Sequence, residues 1–195
     1  RVVCTSSRPE SVRTVEKDKI GPCKDVPTTP SGPILSPTHN FPPTVRNPID
    51  SIQATVGQLL VFKVPDDTFY DPEQQTDLRL VFLNEDRSPL DAHHWLQFDS
   101  KNKEFYGVPM VPQQHKFEER YVLVAYDKAD LTANDALIVE ISNKHYRQDY
   151  SATFEFQLDT PYEQFQLAAT KRRFLERVAT FFEDIDTDQL VMKSV

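Results

Sequence analysis

Seven carboxylates, Asp67, Asp71, Glu73, Asp99, Asp127, Asp130 and Asp135, fall in stretches that read as loops. Calcium takes hard oxygens of this kind, six to eight at a time. Short acidic side chains also cap turns by accepting backbone N–H bonds, so solvated carboxylates and turn caps account for the same residues without a metal. The histidines offer less. His93 and His94 are adjacent, and on a strand adjacent side chains point to opposite faces, while His39, His115 and His145 stand alone. No H-x-x-x-H pair, Ser-His-Asp order or glycine-rich phosphate loop is present, so enzyme chemistry is not expected. The two cysteines, Cys4 and Cys23, are too few for a zinc site. A disulfide between them closes a loop of ~20 residues and contributes ~3 kcal/mol in the chain-entropy picture. Two free thiols are the alternative in a reducing compartment. The basic group Lys171, Arg172, Arg173 and Arg177 suits either a solvated helix face or an acidic partner. In "TFYDPE", residues 68–73, two aromatics precede a turn; Phe69 is expected in the core and Tyr70 as an exposed contact.

These residues sit on a chain with three textures. Eight of the 15 prolines lie in the first 46 residues together with many Ser and Thr, a composition that cannot build a packed core. Residues 26–44 have the make-up of an O-glycosylated stalk or of a plain extended linker. Lys and Arg number 7 against 4 Asp and Glu in residues 1–46; the whole chain has 22 against 30, leaving 15 against 26, a net −11, for the rest. So acidic a folded part argues against nucleic acid as a partner. No run of ~20 apolar residues and no leader is seen, so the chain reads as soluble or as a piece of something larger. It has no N-x-S/T sequon.

From residue 46 the pattern alternates with period two. Ile52, Ala54 and Val56 share a face, and so do Leu60, Phe62 and Val64 after a turn or bulge at Gly57. Leu78, Leu80 and Phe82 form the next inward row. "WLQFDSKNKEFYGVP", residues 95–109, is a hairpin, its apolar Trp95, Leu96, Phe98, Phe105 and Tyr106 flanking a polar turn. Glu118, Glu119 and Arg120 read as an exposed turn, followed by a strand with Tyr121, Leu123 and Ala125 inward. A last strand faces in with Ala136, Ile138 and Glu140 or with Leu137, Val139 and Ile141. Six or seven short strands in about 100 residues, with no helical period between them, predict a two-sheet β-sandwich over residues 46–145.

After residues 145–150, a short linker, the period changes again. "SATFEFQLD" predicts a half-buried strand carrying Phe154, Phe156 and Leu158. Thr160 is a plausible N-cap and Pro161 a first-turn residue for a helix that ends near Glu183, with Leu167, Phe174, Leu175, Val178, Phe181 and Phe182 at helical spacing and the basic group mostly in solvent. "QLVMKSV" predicts a final strand. Strand, helix and strand in about 45 residues leave one sheet face and both sheet edges open, so this half-domain, residues 150–195, is expected to need strands from elsewhere. Phe154, Phe156, Leu158, Leu190, Val191 and Val195 are its candidate partner-fragment interface.

"PIDSIQATVGQLLVFKVPDDTFYDPE", "HHWLQFDSKNKEFYGVPM" and "YVLVAYDKADLTANDALIVEIS", in that order, resemble the cadherin-like domain of the dystroglycan family and, more weakly, the related domain of sarcoglycans. "SATFEFQLDTPYEQFQLAATKRRFLERVATFFEDIDTDQLVMKSV" is similar to the start of that family's SEA-like domain. The resemblance covers residues 46–195; residues 1–45 share only mucin-like character. It implies a mainly β chain, an Ig/cadherin-like sandwich followed by an α+β, ferredoxin-like half-domain, in a noncatalytic adhesion receptor joining extracellular matrix to the cytoskeleton. It implies an extracellular, cell-surface location, held by a noncovalently bound membrane-spanning beta-type dystroglycan fragment. Matrix proteins such as laminin would bind through glycans on the neighbouring mucin-like region, with sarcoglycans as further partners. The family's Gly-Ser cleavage motif is absent from this sequence. A cadherin-like sandwich leaves Ca2+ as the one cofactor to consider, although the tight acidic motifs of cadherin interdomain sites are missing. The rival function is a free-standing glycan- or calcium-dependent ligand-binding sandwich.

Overall fold

A computed structural model describes residues 39–110, 116–143, 152–183 and 186–195. Cys4, Cys23, His115, His145, the stalk up to residue 38 and the linker at 145–150 lie outside them. Residues His39–Val195 form one compact unit. Among the described residues there are nine strands: β1 Thr44–Val45, β2 Ser51–Thr55, β3 Leu60–Lys63, β4 Phe69–Tyr70, β5 Arg79–Asn84, β6 Leu96–Asp99, β7 Glu104–Gly107, β8 Lys116–Tyr126 and β9 Thr132–Ser142. They make a four-stranded sheet β2-β9-β8-β5, a three-stranded sheet β3-β7-β6 and the short pair β1-β4. All pairings are antiparallel except β2 with β9, where Ser51 lies beside Ile138 and Thr55 beside Ser142.

The inward rows close a core between the two larger sheets. Phe82 of β5 meets Phe105 of β7 edge-on at 4.8 Å, and Phe105 also touches Phe98 and Phe62. Tyr121, Leu123 and Ala125 are buried, and β9 chooses the face of Leu137, Val139 and Ile141. The choice follows from volume, since Val139, Ile141 and Leu137 bury more apolar surface than Ala136, Ile138 and the polar side chain of Glu140. Glu118, Glu119 and Arg120 are strand, not turn: they lie in β8. Their polarity misleads because the half-buried Glu119 has partners in the sandwich, accepting hydrogen bonds from Trp95 Nε1 at 2.8 Å and from the Tyr121 hydroxyl. Burial, and then this carboxylate, push the Tyr121 phenol far above its ordinary range. His94 turns inward to the same hydroxyl at 3.2 Å, while His93 stays exposed.

With 4 glycines in 195 residues, tight turns are built differently. Asp99 Oδ1 accepts the Lys101 and Asn102 N–H groups, Asp127 Oδ1 those of Ala129 and Leu131, and Asp71 Oδ1 those of Glu73 and Gln74. Each of the three loops then carries one non-glycine residue at positive φ, namely Lys103, Asp130 or Gln75. The carboxylate fixes the turn that a glycine would otherwise permit.

Residues 39–45, which composition assigns to the stalk, join the sandwich. Thr44–Val45 pairs with β4, and Asn40 Nδ2 bonds Asp127. The helix also departs from expectation. It divides at Leu167, whose ψ of 131° is extended, into α1 Tyr162–Gln166 and α2 Ala168–Phe181. Pro161 occupies the cap position of α1 with no side-chain cap, so Thr160 does not serve there. The break lets Phe165 of α1 and Leu175 of α2 enter one cluster with Val108 and Met192. Residues 152–158 and 190–195, the two segments expected to be strands, belong to no sheet. A strand needs a ladder partner, and among the described residues these segments have none.

Candidate partner-binding surface

The second cluster, Val108, Phe165, Leu175 and Met192 with Leu59, Met110, Phe174 and Leu190 against it, docks the C-terminal part on the sandwich. Ala168, Lys171, Leu175 and Ala179, at helical spacing, are the buried face of α2. The half-domain therefore has a packing face that periodicity alone did not reveal. Two members of the basic group take part in it rather than facing solvent. Lys171 is 5% exposed, its ammonium donating to Gln166 Oε1 at 3.1 Å, and burial lowers its pKa. Arg172 reaches across to Glu104 of β7 at 2.6 Å, bonds Glu176 at 2.8 Å and lies over the Tyr106 ring. A groove of about 300 Å³ between α2 and the β6–β7 hairpin is lined by these groups together with Asp99, Asn102 and Arg173.

The terminal segment crosses the β2–β3 turn. Met192 N donates to Gly57 O at 2.8 Å, and Gly57 N donates to Pro109 O at 2.9 Å. Gly57 has φ 78°, and a Cβ there would come within 2.5 Å of Met192 O. Glycine is thus required twice at one position, for its dihedral and for the close approach. Leu190 and Met192 are spent on this docking, Val191 is half-buried, and Val195 remains exposed.

What the docking leaves open is aromatic. Phe154 is 58% exposed, Phe156 48% and Phe181 79%, with Leu158, Tyr162 and Phe182 exposed beside them. Their rings form a chain: Phe181 to Phe182 at 5.2 Å, Phe182 to Phe154 at 4.9 Å, Phe156 to Phe174 at 5.4 Å, and Phe174 to the buried Phe165 at 5.4 Å. The segment carrying Phe154, Phe156 and Leu158 makes no backbone hydrogen bond to a described residue, and one side-chain bond, Lys193 Nζ to Thr153 Oγ1, ties it to the terminal segment. Exposed phenylalanines beside a backbone with no hydrogen-bond partner among the described residues lack the two things that an added β-strand supplies, ladder bonds and apolar cover.

The other candidates behave as follows. Tyr70 is half-buried, not an open contact: Arg46 covers its ring 3.2 Å from the centroid, and its backbone pairs with Thr44. Phe69 is buried as its neighbour's alternation requires. The acidic residues are dispersed. Asp67 bonds Asn47, Glu73 takes the Phe41 N–H, Asp130 pairs with Arg79, and buried Asp135 accepts the Ile49 N–H at 2.7 Å. Among the described residues no group of three or more His, Cys, Asp or Glu is placed to hold a metal ion. No described helix is long and apolar enough to cross a membrane.

Three solved structures have a limited similarity to the chain. Titin domain M7 superposes with a TM-score of 0.37 at 8% identity, over 53% of this chain and 97% of that one. The human desmocollin-1 ectodomain has a TM-score of 0.37 at 16% identity over 56% and 20%, and protocadherin gamma B7 domains 1–4 have 0.37 at 9% over 54% and 25%. Likenesses of this size carry no functional argument. The family model of the alpha-dystroglycan third Ig-like domain matches residues 39–142, which is over half the chain and encloses every strand from Thr44 to Ser142. The chain belongs to that dystroglycan Ig-like domain family.

Proposed function

We propose that the chain is an extracellular, noncatalytic part of a dystroglycan-like adhesion receptor, and that its C-terminal segment binds a separate membrane-spanning fragment through strand addition. The carrying observation is the aromatic row of Phe154, Phe156, Phe181 and Phe182 beside backbone with no ladder partner. Covering each exposed phenylalanine contributes up to about 1.5–3 kcal/mol, and each new ladder bond roughly 1 kcal/mol. A few such contacts suffice for a complex that holds without a covalent link. Residues 152–195 then complete a SEA-like domain, and load passes from matrix proteins such as laminin, bound through glycans upstream, across the sandwich to the fragment, its cytoskeletal attachment and associated sarcoglycans. Docking of α2 on β7 suits this role, because force entering the sandwich reaches the fragment through a packed core rather than a loose linker.

Hydrogen exchange of the full chain, alone and mixed with the family's membrane-proximal fragment, tests the reading. Amides of residues 153–158 should exchange freely alone and become protected in the mixture, and Phe154→Asp with Phe156→Asp should abolish the protection. Unchanged exchange on mixing would overturn it.

A further inference from the structure

The loop between β4 and β5, with the residue that precedes β4, holds three buried side-chain oxygens that have no hydrogen-bond partner: Thr68 Oγ1, Asp71 Oδ2 and Gln74 Oε1. Thr68 and Asp71 are fully enclosed, each 0% exposed. Asp71 cannot swing its free oxygen out to water. Its other oxygen is held by the Glu73 and Gln74 N–H groups at 2.8 and 2.7 Å, and its main chain exchanges two bonds with Gln75, each 2.8 Å. Buried carboxylate oxygens are almost always paired, because an unpaired one has lost its water and gained nothing. The six other loop carboxylates described above each have a partner within the chain, and among the described residues this loop alone retains a buried carboxylate oxygen with none. The donors left over are a carboxylate, a hydroxyl and an amide carbonyl, all hard oxygens. No imidazole or thiol, which a transition metal would favour, lies in residues 68–75.

We propose that residues 68–74 hold a hard divalent cation of the calcium class through Asp71 Oδ2, Thr68 Oγ1 and Gln74 Oε1, with water supplying the remaining ligands, and that this ion fastens the segment entering the sandwich. The loop is where that segment is tied. Arg46 N and Asn47 N both donate to Thr68 O, Thr44 and Val45 pair with Tyr70 and Phe69, Asn47 Nδ2 bonds Asp67, and Phe41 N bonds Glu73. Tension applied upstream of residue 39 is therefore shared between the Asn40–Asp127 bond and residues 67–73. An ion that ties Thr68 to Asp71 and Gln74 stiffens that one loop. A single carboxylate among the ligands sets the affinity at about 0.1–1 mM, the range of extracellular calcium modules. The proposal does not rest on the partner-fragment reading, and either can fail without the other.

The test uses the full chain in EDTA, in calcium chloride and in magnesium chloride at matched ionic strength, read by thermal melting and by exchange of the Arg46 and Asn47 amides. Calcium should raise the midpoint in a saturable manner and slow those two amides tenfold or more, with magnesium weaker. Asp71→Asn keeps the Oδ1 acceptor and removes the charge, so it should abolish the response. Thr68→Val keeps the shape and removes the hydroxyl, so it should shift the calcium midpoint at least several-fold upward. No calcium-dependent shift in the wild type overturns the proposal. An Asp71→Asn protein that responds like the wild type overturns it too. If Asp71→Asn does not fold, Thr68→Val and Gln74→Met decide, and unchanged calcium midpoints in both overturn it.

Discussion

Gly57→Ala is the most informative single change, because one methyl group strikes the junction between the sandwich and the C-terminal part. The native φ of 78° lies in the left-handed region, where alanine is strained by about 1–2 kcal/mol. The new Cβ would also sit 2.5 Å from Met192 O and 2.9 Å from Val191 Cγ1. The first of these atoms is main chain and cannot rotate away. The terminal segment must therefore lift. Lifting breaks the bond from Met192 N to Gly57 O, roughly 1 kcal/mol, and exposes the buried Met192 side chain, about 1.5–3 kcal/mol. The sum, about 4–6 kcal/mol, is a large share of the 5–15 kcal/mol that typical domains have. Urea unfolding gives the total, and exchange of the Met192 amide reports the lift directly. A cycle with Met192→Ala separates the causes: once Gly57→Ala has undocked the segment, adding Met192→Ala should cost little more. A loss of only about 1–2 kcal/mol with the Met192 amide still protected would refute the docking argument and leave dihedral strain alone. Fully additive effects in the cycle would refute it equally.

Other outcomes follow from the same packing. Asp135 is buried beside the Ile49 N–H, and burial, helped by the charge of Asp50, raises its carboxyl pKa in the fold. The folded state thus holds that proton more tightly than the unfolded chain, and stability falls as pH rises from the ordinary carboxylate value through the raised one. Asp135→Asn should be more stable than wild type at pH 7, with the gain fading toward pH 3, as urea midpoints across that range will show. Lys171 has the opposite sign, its pKa lowered by burial, so its charge costs stability wherever it stays protonated. Lys171→Met should raise the melting temperature at pH 7, and the gain should shrink in alkaline buffer. Phe105→Ala, which removes a fully buried ring touching Phe62, Phe82 and Phe98, should cost about 3–5 kcal/mol in urea unfolding.

The sandwich was legible in the sequence because most of its strands are more open to solvent on one side than on the other, β8 with Val124 buried as well as Leu123 and Ala125 being an exception. Alternation then writes the inward row directly: Ile52 and Ala54, Leu78, Leu80 and Phe82, Tyr121, Leu123 and Ala125 all face the core as their spacing requires. The hairpin at residues 96–107 was equally plain, since a run of polar residues between two aromatic pairs has few other uses. Where both faces of a strand were mixed, as in β9, the sequence left two choices and packing volume decided. Acidic stretches misled in both directions. Glu118 and Glu119 looked like a turn and are strand, because a carboxylate bonded to Trp95 and Tyr121 is tolerated where an unpartnered one is not. Asp71 looked like any turn cap, and only enclosure shows that one of its oxygens has no partner.

By itself, the sequence determined the period of most strands of the sandwich, the hairpin turn between Asp99 and Glu104 and the family to which the sandwich belongs, because these depend on neighbours along the chain. Tertiary structure alone decided that Lys171 is buried and Arg172 pairs with Glu104 of β7, that Met192 lies across Gly57, and that Phe154, Phe156 and Phe181 remain uncovered. Each of these depends on contacts between residues far apart in sequence, and no local pattern encodes which of two apolar faces finds a surface first.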